Sequence, residues 1–513
     1  MSISACLEIH QINVSQGDSV LIINRDPVRV KAAIDAARAK NAALPDPGEP
    51  IDHVPYAVHY DIPLKGTVTK ALLIDGGNDE FGGDVVDYLS THGVVDTSVA
   101  YQPNLYVMIS HYHADHMDGL RSIFKRRKKP GSTVLVRNMH PARVYQAAGK
   151  RAGMSGGFIA LQTDINEAMT GKPKKERTQL VAIFPGGLDT DEDYTKVWDP
   201  QAGTETDTAE VWLGNSASGI RISFRVIASG QAVRKKPYGG NVVVSSKTKT
   251  VDQNDRSIVG MLSYGSFRFF MGGDIAGDGG PAGGNRGNND KAAQLLPNDA
   301  LKSFTAHADV ESPVGDALVR FFPMPHKRRP GKDKAASAGY ATVMKANHHG
   351  SKSSNDVRLL ASVQPMLFLI SSGFRSLFHH HPTQHVINRT NDRVTPQWVD
   401  LTGARITNSI VQTYVTECAD VVVTSKGSTK RFGVNLHDAP IMGDIVVRPV
   451  DESVLALRAA DHNDYPDLVV QVYGTGTLTN LDRTRTTLRP TEPRNSGPGD
   501  IYPIGPFVHE TEF

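Results

Sequence analysis

The densest chemistry in the chain lies in the stretch SHYHADHMDG, which places His111, His113, Asp115 and His116 within six positions. It follows directly on an apolar run, LYVMIS at 105–110, that reads as a strand. Imidazole and carboxylate are the usual ligands of zinc and similar cations. On a tight loop leaving a strand, alternate residues face one point and their neighbours another. Two ligands for each of two metals is the natural use of four such side chains. The bland alternative is a polar surface loop, but a strand-terminal His-x-His-x-Asp-His cluster has little structural purpose without metal.

The elements that must position this loop read as α/β. CLEIHQINV and SVLII are strands around the turn SQGD, residues 29–43 have helical character, and PDPGEP then breaks the chain. ALLID (71–75) is a buried strand ending at Gly76-Gly77, Met117–Lys125 can form a helix, and TVLVRN (133–138) reads as the next strand. A β pattern returns in IRISFRVIA, SIVGMLSY and SFRFFMGG, and strands ATVMKA (341–346) and MLFLIS (366–371) follow a Gly/Asn-rich and basic stretch. Residues from about 400 are β-rich to about Gly476, with an extended Thr/Arg/Pro-rich tail from 485. Histidines and aspartates fall at strand ends, where layered α/β folds place their sites.

Composition bounds the rest. A chain of 513 residues predicts two to four domains or one large domain with insertions. No run of about 18 apolar residues occurs, so no membrane span is expected. The first residues, MSISACLEIHQINV, lack the basic and apolar regions of a secretory signal. Cys6 and Cys418 cannot make a disulfide framework or a Cys-rich zinc site. A cytoplasmic location is the expectation. The formal net charge is only +2, yet four basic runs stand out: KRRKK (125–129), KPKKER (172–177), VRKKP (233–237) and HKRRPGKDK (326–334). On loops bordering a site they would favour a polyanion, with Lys125, Arg126, Arg127 and Lys128 as its nearest contacts. Alone, each such run is a solvated face.

The histidine loop resembles the signature of the metallo-β-lactamase fold superfamily. Asp75 in LLIDGG is similar to that family's strand-end aspartate, Asp274 in FFMGGDI to its metal-bridging aspartate, and His348-His349 in KANHHGSKSSN to its last ligand motif. QINVSQGDSVLI, NDRSIVGMLSYGSFRFFMGGD, NHHGSKSS and HHHPTQHVINR resemble the soluble metallo-β-lactamase domain of the DNA-uptake competence protein ComEC. The resemblance covers roughly residues 7–395, interrupted by insertions. It departs in carrying His113 where that branch often has Asp, in the 74 residues from Asp274 to His348, and in having no membrane channel. His140 in VRNMHP is the candidate for a separate third-motif ligand, with an ordinary loop histidine as the alternative.

The resemblance implies a four-layer αββα sandwich and a metal set of His111, His113, Asp115, His116, His140, Asp274, His348 and His349. Two divalent ions, zinc or manganese, would share Asp274 and lower the pKa of bound water toward about 7, giving a hydroxide nucleophile at neutral pH. Of His348 and His349, one is a ligand and the other meets substrate or protonates the leaving group; the sequence leaves open which. Asp115, His348, His349 and Lys352 are the catalytic candidates. Ser351 and Lys352 could hold a phosphate, and His381 in HHHP would lie at the substrate end. Asp75 and Asp18 are read as carboxylates that orient the ligands, a turn aspartate being the alternative.

The expected organisation is a hydrolase domain at 1–398, with insertions at about 25–68, 145–215 and 276–340, and a β-rich extension at 399–513. The leading function is two-metal hydrolysis of phosphodiesters, with nucleic acid as substrate. The rivals are a small phosphodiester or a carbonyl substrate such as a lactone, thioester or β-lactam, and a metal-containing regulatory module that grips a partner protein through its insertions or extension.

Overall fold

The computed structural model describes residues 7–42, 65–125, 138–147, 156–183, 253–277, 309–322, 340–351, 353–373, 381–400 and 404–417, most of 210–234, and further strands between 197 and 490. Along the chain the first strands are β1 (Leu7–Gln11), β2 (Val20–Arg25), β3 (Val68–Ile74), β4 (Tyr101–Ile109), β5 (His140–Ala147) and β6 (Gln179–Ile183). A short hairpin follows, β7 (Val197–Asp199) with β8 (Thr204–Thr206). Next come β9 (Glu210–Asn215), β10 (Arg221–Ser229), β11 (Ala232–Arg234), β12 (Asn241–Val243), β13 (Val259–Tyr264), β14 (Phe267–Met271), β15 (Val343–Lys345) and β16 (Leu367–Ile370). The last third adds the hairpin β17 (Gln397–Val399) and β18 (Arg405–Thr407), then β19 (Gln412–Val415). It ends with the hairpin β20 (Val421–Ser425) and β21 (Ser428–Phe432), then β22 (Asp444–Pro449), β23 (Leu468–Tyr473), and the hairpin β24 (Leu478–Asp482) with β25 (Arg485–Pro490).

Two large sheets form from these strands. The first has eight strands in the order β23-β22-β1-β2-β3-β4-β5-β6. The second has nine, in the order β12-β11-β10-β13-β14-β15-β16-β19, with β9 also on β10. Each is half antiparallel and half parallel: β3 to β6 run parallel, as do β14, β15, β16 and β19. The parallel strands are apolar on both faces, as strands covered on both sides must be. Leu72, Ile74, Tyr106 and Met108 face inward, against Phe224, Leu262, Phe269, Val343 and Leu369 of the other sheet. Ala71, Leu73, Leu105 and Val107 face outward, under the helices Gly82–Thr91 and Gly156–Met169. On the other side Phe270, Met344, Phe368 and Ile370 meet the helices Glu311–Phe321, Val357–Val363 and Gln384–Thr390. The result is helix, sheet, sheet, helix, the αββα layering expected. Among the described residues no helix is long and apolar enough to cross a membrane.

Three expectations change. The stretches 145–215 and 276–340 are not wholly insertions, because they supply the helix Gly156–Met169, the edge strand β6 and the helix Glu311–Phe321. Their apolar faces (Phe158, Leu161 and Ile165; Val314, Ala317 and Leu318) are short and flanked by charged or Gly-rich loops, which hides the period. Residue 398 is no boundary in the sheets either. Strand β19 pairs with β16, and β22 pairs with β1, so chain from beyond it completes both sheets. The helix expected at 117–125 is a helix Ala114–Met117, a 3-10 turn Asp118–Leu120 and a helix Arg121–Phe124. Gly119 breaks it, because its backbone packs onto the Gly76 carbonyl with no room for a Cβ. The strand expected at 133–138 lies almost wholly outside the described residues, as does the tail beyond 490.

A buried ion cluster ties the C-terminal strands to the first. Glu8 of β1 accepts from Arg25 of β2 (Nε, 2.9 Å) and from Arg448 of β22 (Nε, 3.1 Å), and lies 3.1 Å from His10 Nε2. Burial alone would raise the Glu8 pKa; the two guanidinium groups overcome it and hold the carboxyl well below its ordinary range. Removing the carboxylate leaves two guanidinium groups buried without their counter-ion. Glu8→Ala is therefore expected to lower the unfolding free energy by about 3–5 kcal/mol, read by denaturant titration. A loss below about 1 kcal/mol, the value of an exposed pair, would show that the cluster does not hold β22 in place.

Candidate metal centre

The cluster sits at one end of the sandwich, at the carboxyl ends of the parallel strands, where α/β sheets gather ligands. Asp75 follows β3, His111 to His116 follow β4, Asp274 follows β14, His348 and His349 follow β15, and Ser371 follows β16. Asp18 lies in the turn between β1 and β2. Backbone bonds weave these loops together: Asp18 N to Asp115 O at 3.1 Å, Gly77 N to Asp18 O at 2.9 Å, and Gly76 N to His116 O at 2.7 Å. Gly17 is required by this closeness. Its φ is +141°, and a Cβ there would lie 2.4 Å from the Asp115 carbonyl oxygen. His348 and His349 both take left-handed φ, 48° and 52°, which turns the chain sharply out of β15.

Asp274 is the point of convergence. Its Oδ2 lies 3.1 Å from His116 Nε2, 3.4 Å from His349 Nε2, and 3.9 Å from Nε2 of both His111 and His348. His349 Nε2 is also 3.3 Å from Asp115 Oδ2, and His111 Nε2 is 3.1 Å from His113 Nδ1. The opposite ring nitrogens are held from behind. His116 Nδ1 is 2.8 Å from Asp75 Oδ2, and His349 Nδ1 donates to the Ser371 carbonyl at 3.1 Å. A carbonyl only accepts, so this bond keeps the proton on Nδ1 and leaves the Nε2 lone pair toward Asp115 and Asp274. Asp75 is itself fixed by the Ser110 backbone N–H at 2.7 Å and the Ser110 hydroxyl at 2.5 Å.

Electrostatics calls for positive charge here. Asp18, Asp75, Asp115 and Asp274 crowd one region, and Lys345, bonded to Asp18, is the cation placed among them. Burial by itself would depress the pKa values of His116 and His349, but Asp274 and the other carboxylates push both well above the ordinary value. Burial would raise Asp274, and the surrounding histidines instead hold it well below. Asp274 Oδ1 and His349 Nε2 are buried with no hydrogen-bond partner among the described residues. Such orphaned, converging donor atoms in an acidic pocket fit divalent cations. Asp18, His116, Asp274 and His349 each offer an atom within 4.8 Å of the others. Asp18, however, lies on the Nδ1 side of both rings and is engaged by Lys345, so Asp115 is the better placed carboxylate on the Nε2 side.

Other candidates fall elsewhere. The His348 side chain is 17% exposed at the rim, its ring 5.5 Å from that of His381. Ser351 bonds through its N–H to His348 O at 2.7 Å. Lys352, Arg126, Arg127 and Lys128 lie outside the described residues. His140 does not reach the centre. It opens β5, opposite Tyr101 at the start of β4, whereas His111 follows the end of β4. The intervening nine residues span about 25–30 Å. His140 is the first residue of its strand and so lies at the strand's amino end; the strand expected at 133–138 falls almost wholly outside the described residues. Lys125 is also remote. Ile123 O accepts from Met139 N, next to His140, and Lys125 Nζ lies 3.6 Å from both Asp164 and Glu167. Residues 172–177 lead into β6 beside Arg143, near that same far end. Sequence reasoning missed Lys345 and Ser110. A lysine within the apolar run ATVMKA was the signal for the first, since an unpaired lysine is almost never buried.

No family model matches the chain, and no curated protein matches it. Among solved structures it is similar to the metallo-β-lactamase fold protein YhfI from Bacillus subtilis, at 9% identity and a TM-score of 0.28, over 72% of this chain and 88% of that one. The αββα layering rests on the packing described above. The tight turn gives a test of the local geometry. Gly17→Ala is expected to destabilise the protein by about 1–3 kcal/mol, measured by denaturant unfolding, because both its φ and its space are forbidden to a Cβ. An unchanged midpoint would show that the turn and the Asp115 loop are not packed this closely.

Proposed function

We propose that the protein is a two-metal hydrolase that cleaves phosphodiester bonds, with nucleic acid as substrate. The observation that carries this reading is the Asp274 carboxylate, whose Oδ2 meets imidazoles from the loops of both sheets. In it Asp115, His116 and His349 would hold one divalent cation and His111 and His113 a second, and Asp274 would serve both. Zinc suits the imidazole count and manganese is the second choice. When bound, such cations act as Lewis acids and bring the pKa of water toward about 7. Asp75 keeps His116 in register, and Ser371 does the same for His349. His348, at the rim and outside that inner set, faces substrate and supplies a proton to the leaving oxygen. The His381 ring lies beside that of His348, and Ser351 is bonded to the His348 carbonyl.

A second reading, hydrolysis of a small phosphodiester or a carbonyl compound, is favoured by one observation. Lys125 and residues 172–177, expected to grip a long polyanion near the site, lie toward the other end of the first sheet, and Lys125 is already met by Asp164 and Glu167. Gently purified protein is expected to hold close to two divalent ions per chain by elemental analysis, and Asp274→Ala to lose most of that metal. Turnover of single-stranded DNA, duplex DNA, RNA and a chromogenic diester, each with zinc or manganese, separates the readings. Cleavage of a nucleic acid supports the first. Cleavage of the small diester alone supports the second. Full metal and activity in Asp274→Ala would contradict both.

A further inference from the structure

One buried charge has no part in that scheme. Lys345, in β15, has no exposure, and its ammonium is hydrogen-bonded to Asp18 Oδ2, which has none either. The pair crosses from the second sheet to the turn between β1 and β2 of the first. The other oxygen of Asp18, Oδ1, lies 3.4 Å from His349 Nδ1. That nitrogen donates to the Ser371 carbonyl, and Asp18 Oδ1 stands beside it at ion-pair distance, so a carbonyl and a carboxylate from different loops flank it.

We propose that Lys345 is a positioning residue for His349: through Asp18 it holds the imidazole with its proton on Nδ1 and its Nε2 toward the cation shared with Asp115 and Asp274. The assignment rests on the two-metal reading above. A carbonyl fixes one bond direction, whereas a second, charged acceptor also fixes the ring rotation and strengthens the ligand nitrogen. The ammonium has a second effect. Asp18 lies within reach of the same atoms as Asp274, His116 and His349. Left without its lysine, Asp18 would be drawn to the cation itself and would leave Nδ1 of His349. The compact charge and three donors of a lysine suit this bridge, which a methionine of similar length cannot make.

The test uses the full chain and does not depend on turnover. Zinc affinity is measured by competition with a chromophoric chelator, beside thermal unfolding, for wild type, Lys345→Met and the double variant Asp18→Leu with Lys345→Met. Lys345→Met is expected to weaken one zinc equivalent about 10–100-fold and leave the other unchanged. The double variant removes both buried charges. It is expected to recover the thermal midpoint but to keep the weakened equivalent, because His349 still lacks the carboxylate beside Nδ1. Recovery of both midpoint and affinity would mean that Lys345 only neutralises Asp18, and would overturn the proposal. Undiminished affinity in Lys345→Met would overturn it too, and if that variant does not fold, the double variant decides. Wild-type protein that binds no zinc or manganese would instead remove the two-metal reading and this assignment with it.

Discussion

Four carboxylates brought together at the junction of two sheets carry a cost that the rest of the structure has to meet. An ion taken out of water costs several kcal/mol after relaxation, unless opposite charge and hydrogen bonds replace the solvent. At Asp274 the replacement is a ring of imidazoles, and at Asp18 it is one lysine. Among them His116 and His349 are drawn toward their charged forms by those carboxylates, against the effect of burial. A pocket balanced in this way could hold divalent cations.

The layers explain how such a site can be built. Each sheet switches from antiparallel to parallel strands, and the parallel strands of both deliver their carboxyl ends to the same end of the sandwich. The first sheet brings Asp75 and the His111 to His116 loop, and the second brings Asp274 and the histidine pair. Neither sheet holds the whole cluster. The apolar inner faces fix the distance between the sheets, so core packing and site geometry are coupled. The closing contacts at the centre are polar, from Lys345 to Asp18 and from Ser371 to Gly17 O at 2.7 Å.

What the sequence showed followed the range of each signal. The histidine loop was readable because its four side chains lie within six residues. Asp274 and the pair at 348 and 349 came only through resemblance, since 74 residues separate them and no local pattern links them. His140 failed by direction: a residue at the start of a strand and one at its end lie at opposite ends of a sheet. Lys125, the described residue of the basic run, failed for a related reason. It follows His116 by only nine residues, but the intervening helical turns carry the chain back along the sheet, away from the loop. Lys345 was hidden inside an apolar strand, where a lone lysine breaks no pattern until its partner, 327 residues earlier, is known.

The central claim is that Asp274 stands between two cations rather than beside one or none. Anomalous diffraction at the zinc edge, on crystals of the full chain grown with zinc, tests it most directly. The account predicts two peaks flanking the Asp274 carboxylate, one against Asp115, His116 and His349 and the other against His111 and His113. A single peak, a peak held by Asp18 in place of Asp115, or a peak at His140 would contradict it.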